Sequence, residues 1–597
     1  MCGIYGMVAL AGALRWPERA DRLATSVQPR GPDAHHVHTL PEAIIGVHRL
    51  RIVDPRPEAD QPFTHQRHVL AVNGEIYNAP DLRRRFAGHP FRSRTDGETL
   101  LPILDQHGPV GLRAVEGMFG LAWWAPDTRT LVLARDVHGE KPLFYTHVGS
   151  EVWFASAPEP LRHHPQLAIA LDLDAARDQL ALGVVREPRT LFAGVRKVPA
   201  GCAVVFTPSG VQIVRYDAED PVEYAPVAPS ELAQAFDDAV AAELQSDVPI
   251  GVFLSGGLDS SLVAQAAARH QPGMPAFCVG FPESSYDERP MARRVARDLG
   301  LPLTEVEAGT ADLLRALDIA RTLGEPIADP ALLPTILLAE RTRQDVTVVL
   351  SGEGADELFG GYPTYLAHRL AEIPFVAWCT VHGARWFRPR SGDRRLTTSF
   401  LVRRFLEEAR KPAIERHIAW FSGAMPPHAL TSPCTVHRAP CTDILDEIME
   451  FDRTLWLRER LLVKFDRATM RVGLEGRVPF LHPGVVRLAR RAGAATHVGW
   501  RGKRLLRALA RTRVPAYVLR RTKRGMTVPV GGLLNGALRE EADRLFRRER
   551  LDALGLVRSD AVTSMLAEHR ARTADHSRAL WTLFTFERWR ECAGSLT

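Results

Sequence analysis

Over the first two hundred positions the apolar residues come in short runs broken by turn residues, a pattern that predicts many strands and few long helices. Leu70–Gly74, Phe119–Trp124 and Leu131–Asp136 are the clearest runs. The pattern stops between Asp217 and Ser230, where proline, alanine and acidic residues suit a linker. Ser230 reads as the N-cap of an amphipathic helix from Glu231 to Leu244. Beyond it the apolar blocks Pro249–Leu254, Ala276–Val279 and Val346–Leu350 alternate with helical stretches, which predicts a parallel α/β sheet. From 365 to 450 the chain reads as helical and arginine-rich, without a motif.

At 597 residues the chain exceeds what one core usually holds, about 250–300 residues, so two or more domains are expected. A hydrophobic content of 45% is ordinary for a globular protein, and no run approaches the roughly 20 apolar residues of a membrane span. The N-terminus lacks the basic, apolar and small-residue order of a signal peptide. Seven scattered cysteines without metal-ligand spacing point to a reducing, cytoplasmic setting. The net charge of +6 is modest for this length, and basic clusters such as Arg83-Arg84-Arg85 lack interleaved aromatics, so no nucleic-acid partner is expected. The cations themselves say more. Only Lys141, Lys197, Lys411, Lys464, Lys503 and Lys523 are lysines, against a background of arginine. A lysine kept there marks a place where a compact ammonium is needed, because guanidinium does not replace it at a tight site. Lys197 and Lys411 read as chance retention.

Three constellations carry chemistry. Cys2 lies in Met1-Cys2-Gly3-Ile4-Tyr5-Gly6, so removal of the initiator methionine would put a free α-amine on the residue that bears the thiol. A thiol of pKa about 8.5 and an amine of about 8 are matched, and one residue then supplies nucleophile and general base. By itself the hexapeptide is equally well read as an inert cysteine near a start codon. The run from Gly251 to Ser261 ends a predicted strand and opens a helix. Gly256 and Gly257 let backbone N–H groups approach an anion, Ser255, Ser260 and Ser261 add donors, and Asp259 can hold magnesium against phosphates. The run from Ser351 to Tyr362 also follows a strand. Its Glu353 and Asp356, three apart, reach one locus if the segment turns helically.

Ser255-Gly256-Gly257-Leu258-Asp259-Ser260 resembles the loop of enzymes that cleave ATP to AMP and pyrophosphate. Further matches in the N-terminal part are Cys2-Gly3-Ile4, Arg30-Gly31-Pro32-Asp33, His48-Arg49-Leu50, Gln61-Pro62, Asn73-Gly74-Glu75-Ile76-Tyr77-Asn78 and Thr95-Asp96. Later ones are Tyr286-Asp287-Glu288, Glu325-Pro326, Leu350 to Tyr362, Lys503 to Arg507 and Arg521 to Gly525. Together they make most of the chain resemble the glutamine-dependent, class B asparagine synthetase family.

The resemblance implies a class II glutamine amidotransferase domain over 2–210, folded as the αββα sandwich of N-terminal-nucleophile (Ntn) hydrolases. A linker over 211–229 and a parallel-sheet ATP-pyrophosphatase domain with extra helices over 230–597 would follow. The implied substrates are glutamine, ATP and a carboxylate acceptor, by default aspartate, with magnesium as cofactor. Cys2 would attack the glutamine amide, Asn73 and Gly74 would form the oxyanion hole, Arg49 would pair with the α-carboxylate and Asp96 with the α-amine. Leu50, Arg51, Ile52, Val53 and Glu75 would complete that pocket. Leu254, Ser255, Gly256, Gly257, Asp259, Ser260, Val279, Ser351 and Gly352 would line the ATP site, and Asp259 and Asp356 would hold magnesium. Glu353 would act in acceptor activation or ammonia attack, and Lys523 would stabilise charge as pyrophosphate leaves.

Two positions depart from the family pattern. His482 follows Arg477-Val478-Pro479-Phe480-Leu481 where an acid is usual, and Met526 follows Lys523-Arg524-Gly525 where phenylalanine is usual. His482 either alters the acceptor's surroundings or is a neutral surface change. A carboxylate of a specialised metabolite, sugar or peptide would serve the same chemistry as aspartate. An intramolecular amide former of the β-lactam synthetase or lasso-cyclase type would leave the Cys2 set unused. A tRNA-modifying enzyme lacks support in any RNA-binding signature. Whether two copies pair as a homodimer is open at this level.

Overall fold

The computed structural model describes residues 2–217, 223–373, 405–406, 408–421, 425–432, 443–521 and 525–594. Two antiparallel six-stranded sheets form the N-terminal half. In the first, Cys2–Ala9 lies between Ala43–Arg49 and Glu151–Ala155. In the second, His68–Ile76 pairs with Gly117–Ala125, which pairs with Thr130–Arg135. Side-chain alternation decides which face goes where. Cys2, Ile4 and Val8 join Val69, Ala71, Trp124 and Leu133 in the core between the sheets. Tyr5 and Met7 point the other way, into a cluster with Leu23 and Val27 of the helix Ala20–Val27. The second sheet turns Leu70, Val72 and Leu121 toward Leu100, Leu101 and Leu104, at the start of the helix Leu100–His107. The outcome is the expected αββα sandwich. Its last strand, Gly210–Arg215, extends past residue 210.

The C-terminal half is built on five parallel strands in the order Leu303–Glu307, Ala276–Gly280, Ile250–Phe253, Val348–Leu350, Glu475–Arg477. Ile250–Phe253 and Val348–Leu350 are neighbours, and strand order runs outward from them in both directions. The loops that follow them therefore flank the crevice where open α/β sheets bind ligands. The helix after the linker spans Pro229–Glu243, and its N-cap is Ala228, not Ser230. Pro229 takes the first helical position, where its missing N–H costs nothing. In the stretch 365–450 the described residues include the helices Ala413–Phe421 and Ile444–Phe451. Among the described residues no helix is long and apolar enough to cross a membrane.

One apolar core runs through both halves. Trp153, Leu180 and Phe192 share a buried cluster with Leu254, Leu337 and Trp589. Phe192 meets Trp589, on the helix Ser577–Cys592, edge to face with centroids 5.6 Å apart. Lys197 is no chance survivor: its buried ammonium donates to Glu459 at 2.5 Å across the same boundary.

Candidate active sites

Cys2 opens the central stretch of the first sheet and is 3% exposed. Its backbone N–H donates to Asn73 Oδ1 at 3.1 Å, and Gln61 Nε2 approaches its Sγ at 3.6 Å. With its oxygen turned to Cys2, the fully buried Asn73 has an Nδ2 that finds no partner among the described residues. An unpaired buried donor costs about 1–3 kcal/mol, so Asn73 Nδ2 is a donor with capacity for an added acceptor. An amide donor beside a nucleophilic cysteine suits the oxyanion of a tetrahedral intermediate. Gly74 must be glycine, since a Cβ there would lie 2.1 Å from the Met118 carbonyl oxygen. Burial raises the Cys2 thiol, and the N-terminal charge and Arg49 pull it partly back.

The other residues that the resemblance assigns to a glutamine pocket have the following surroundings. Asp96 accepts from the Ile76 N–H at 2.5 Å and the Thr95 hydroxyl at 3.2 Å, and burial raises its pKa. Glu75 is raised well above the carboxylate range by burial, Asp96 and Glu475, with Arg477 opposing from 3.4 Å. Leu50 and Ile52 are buried, and Arg51 and Val53 are half-buried. Arg49 does not present an open fork. Its guanidinium donates to Asp60 Oδ1 at 2.6 Å and to the carbonyls of Val53, Asp54 and Arg56. Arg51 grips the same Asp60 carboxylate. Asp60, which carries no sequence signal of its own, therefore occupies the Arg49 guanidinium that the resemblance assigns to a glutamine α-carboxylate.

The second site is a cleft of about 500 Å³ at the carboxyl ends of the parallel strands. Its lining brings together Leu254, Ser255, Gly257, Asp259, Ser260, Val279, Ser351, Gly352, Glu353 and Asp356. Ser255 N–H donates to Ser260 Oγ at 3.2 Å and Gly257 N–H to Ser255 Oγ at 3.3 Å, so the serines brace the loop. The helix Leu258–His270 starts here, and its dipole and free N–H groups favour an anion. Lys523 lies outside the described residues. Gly256 stands at the loop's tightest point, with φ of +67° and Met291 Cγ 2.6 Å from where a Cβ would be. Gly256→Ala is expected to cost about 1–3 kcal/mol through left-handed strain and overlap. Calorimetry should show a Tm lower by about 1–2 °C at this chain length, and an unchanged Tm would refute this account of the loop.

Glu353 and Asp356 face one cleft but hold different partners. Lys464 Nζ lies 3.4 Å from Glu353 and 3.5 Å from Asp329. Burial works against that ammonium, but Glu353 and Asp329 raise its pKa and keep it charged. Lys503 Nζ lies 2.6 Å from Asp259 and 2.7 Å from Asp356. Two carboxylates converging on one point fit a hard divalent cation, which when bound would neutralise phosphate charge. Asp329 lines the same cleft without any sequence signal, Lys464 is one of the rare lysines outside the motifs, and Arg521, in a matched motif but without an assigned role, donates to the Ser255 carbonyl at 2.9 Å.

The departures part company. Met526 lines the cleft, and His482 is not among its lining residues. His482 Nδ1 accepts from the Gly484 N–H at 3.4 Å, at the N-terminus of the helix Pro483–Ala492. It caps that helix as an acid would.

The sequence signature of the asparagine synthase family matches residues 231–591, and that of the glutamine amidotransferase domain matches residues 1–217. The chain belongs to the asparagine synthase family. It is 30% identical to Bacillus subtilis asparagine synthetase [glutamine-hydrolyzing] 1, over 99% of this chain and 96% of that protein. A Mycobacterium tuberculosis protein provisionally named a glutamine-hydrolysing asparagine synthetase is 34% identical, over 99% and 97%. Escherichia coli asparagine synthetase B is 30% identical over 61% of this chain and 65% of its own. As a member of this family the chain is a carbon–nitrogen ligase that couples glutamine hydrolysis to ATP-driven amide synthesis.

In this asparagine synthase family member one helix, Leu462–Met470, touches the surroundings of both sites. Its Asp466 accepts two N–H groups of the Arg30 guanidinium at 2.8 and 2.9 Å, and both side chains are buried. Arg30 Nε donates in turn to the Cys2 carbonyl at 3.3 Å. Two residues earlier on the helix, Lys464 reaches Glu353.

Proposed function

We propose that aspartate is the acceptor, and that the products are asparagine, AMP and pyrophosphate. This reading is supported by the relatives, which bear the name asparagine synthetase, and by the cleft that the phosphate loop shares with the Glu353–Lys464 pair. With the initiator methionine removed, the Cys2 nitrogen becomes the amine that takes the thiol proton. Asn73 Nδ2 and Gly74 receive the oxyanion, the Arg49–Arg51 pair exchanges Asp60 for the glutamine α-carboxylate, and Asp96 holds the α-amine. Ammonia then passes inside the protein, because bulk water would protonate it. In the cleft the acceptor carboxylate attacks the α-phosphorus of ATP and pyrophosphate leaves, with Lys523 stabilising the departing charge. Asp259 and Asp356 hold magnesium. Ammonia displaces AMP, and Glu353 takes the surplus proton.

Pyrophosphate exchange into ATP is the direct test. Exchange should require aspartate, and exchange with another carboxylate but not aspartate would move the acceptor assignment. Glu353→Gln should lower amide formation by about 10²–10⁴-fold, the usual weight of a positioned base. Glutamate release from glutamine should persist in that variant.

A further inference from the structure

We propose that Lys503 is the resident counter-cation of the nucleotide site, its ammonium holding the point between Asp259 and Asp356 that a divalent ion takes, so that metal enters with nucleotide and not before it. The inference rests on the nucleotide-binding reading of the cleft. The ammonium is 2.6 Å from one carboxylate and 2.7 Å from the other, and Lys503 as a whole is 3% exposed. Its stem is boxed in as well as its charge. A Cβ on Gly361 would lie 1.9 Å from Asp356 Oδ1 and 2.2 Å from Lys503 Cε, so only glycine lets the pair close. Lys503 itself has φ of +53°, a left-handed conformation that a residue with a long side chain rarely adopts. Its neighbour Gly502 is also left-handed, at +63°. The backbone is bent to deliver this ammonium to this place.

Without a cation, two carboxylates sharing so small a space repel each other, and the phosphate loop beside them loses its shape. A tethered ammonium supplies that cation at high effective concentration, and a free divalent ion must compete with it. Nucleotide alters the balance, because its phosphates give Lys503 a new anionic partner as the metal takes the old ones. Lysine suits this exchange: its compact ammonium on a flexible stem can leave a carboxylate pair that a bidentate guanidinium would grip.

The test is manganese binding to the nucleotide-free full chain, read by the electron paramagnetic resonance of free Mn²⁺. Wild type should need a clearly higher Mn²⁺ concentration than Lys503→Met to reach half occupancy. The variant should bind about 10-fold tighter or better, in proportion to the charge removed, and adding Asp259→Asn should abolish the gain. Equal affinity in wild type and variant overturns the proposal. If Lys503→Met does not fold, wild type still decides: tight Mn²⁺ uptake that Asp259→Asn removes overturns the proposal, and lack of uptake supports it. Binding of Mn²⁺ together with ATP is scored separately. Its absence in wild type would count against the cleft as a nucleotide site, whereas the competition is judged on the metal alone.

Discussion

Cys2→Ala should abolish glutamine-dependent synthesis while leaving ammonia-dependent synthesis within about twofold. Loss of a covalent nucleophile lowers turnover by about 10⁴–10⁶-fold in comparable enzymes. The fold should survive, because the buried thiol is small and its strand keeps the ladder to Ala43–Arg49. Glutamate release and amide formation from ammonium salts, measured on the same preparation, separate the two reactions. Loss of both would sink the two-site scheme.

Asp466→Ala should do more than weaken one contact. The Arg30 guanidinium would be left buried with its charge unpaired, which costs about 3–5 kcal/mol when one partner of a buried pair is removed. A denaturant midpoint gives that loss directly. The variant should also release more glutamate than it makes amide, because Arg30 no longer ties the Cys2 carbonyl to the helix that carries Lys464. Asp466→Asn, which keeps an acceptor but not the charge, should fall between. Unchanged stability with a glutamate-to-amide ratio still near that of wild type would rule out a coupling role for this helix.

Much of this architecture is legible in the linear chain, and the exceptions have physical causes. Leu70–Gly74 and Phe119–Trp124 fall inside the strands His68–Ile76 and Gly117–Ala125, because strands in a four-layer sandwich must be apolar on both faces. Glu475–Arg477 defeats any hydrophobic pattern: two of its three residues are charged, yet it is buried. It is tolerable inside because Arg477 donates to Glu475 at 2.5 Å and to the carbonyls of Glu243 and Gln245. The phosphate loop, Glu353 and Asp356 meet in one cleft because the strands before them, Ile250–Phe253 and Val348–Leu350, pair in parallel and each motif directly follows its strand. The partners of those groups are not adjacent. Lys464 reaches Glu353 from 111 positions away and Lys503 reaches Asp259 from 244, distances over which no local pattern speaks. Asp60 is hidden for a different reason: a carboxylate that pairs with Arg49 and Arg51 looks in sequence like any loop acid.

The apolar seam through Phe192, Leu180 and Trp589 limits how the halves can be exchanged. Among the described residues each half buries an apolar face against the other, so separating the halves would expose that face to water. A glutaminase half transplanted from a relative must bring its own match for Trp589 and for Glu459, the acceptor of Lys197. A change of volume at Phe192 or Trp589 on one side of the seam therefore has to be met by the residues packed against it on the other.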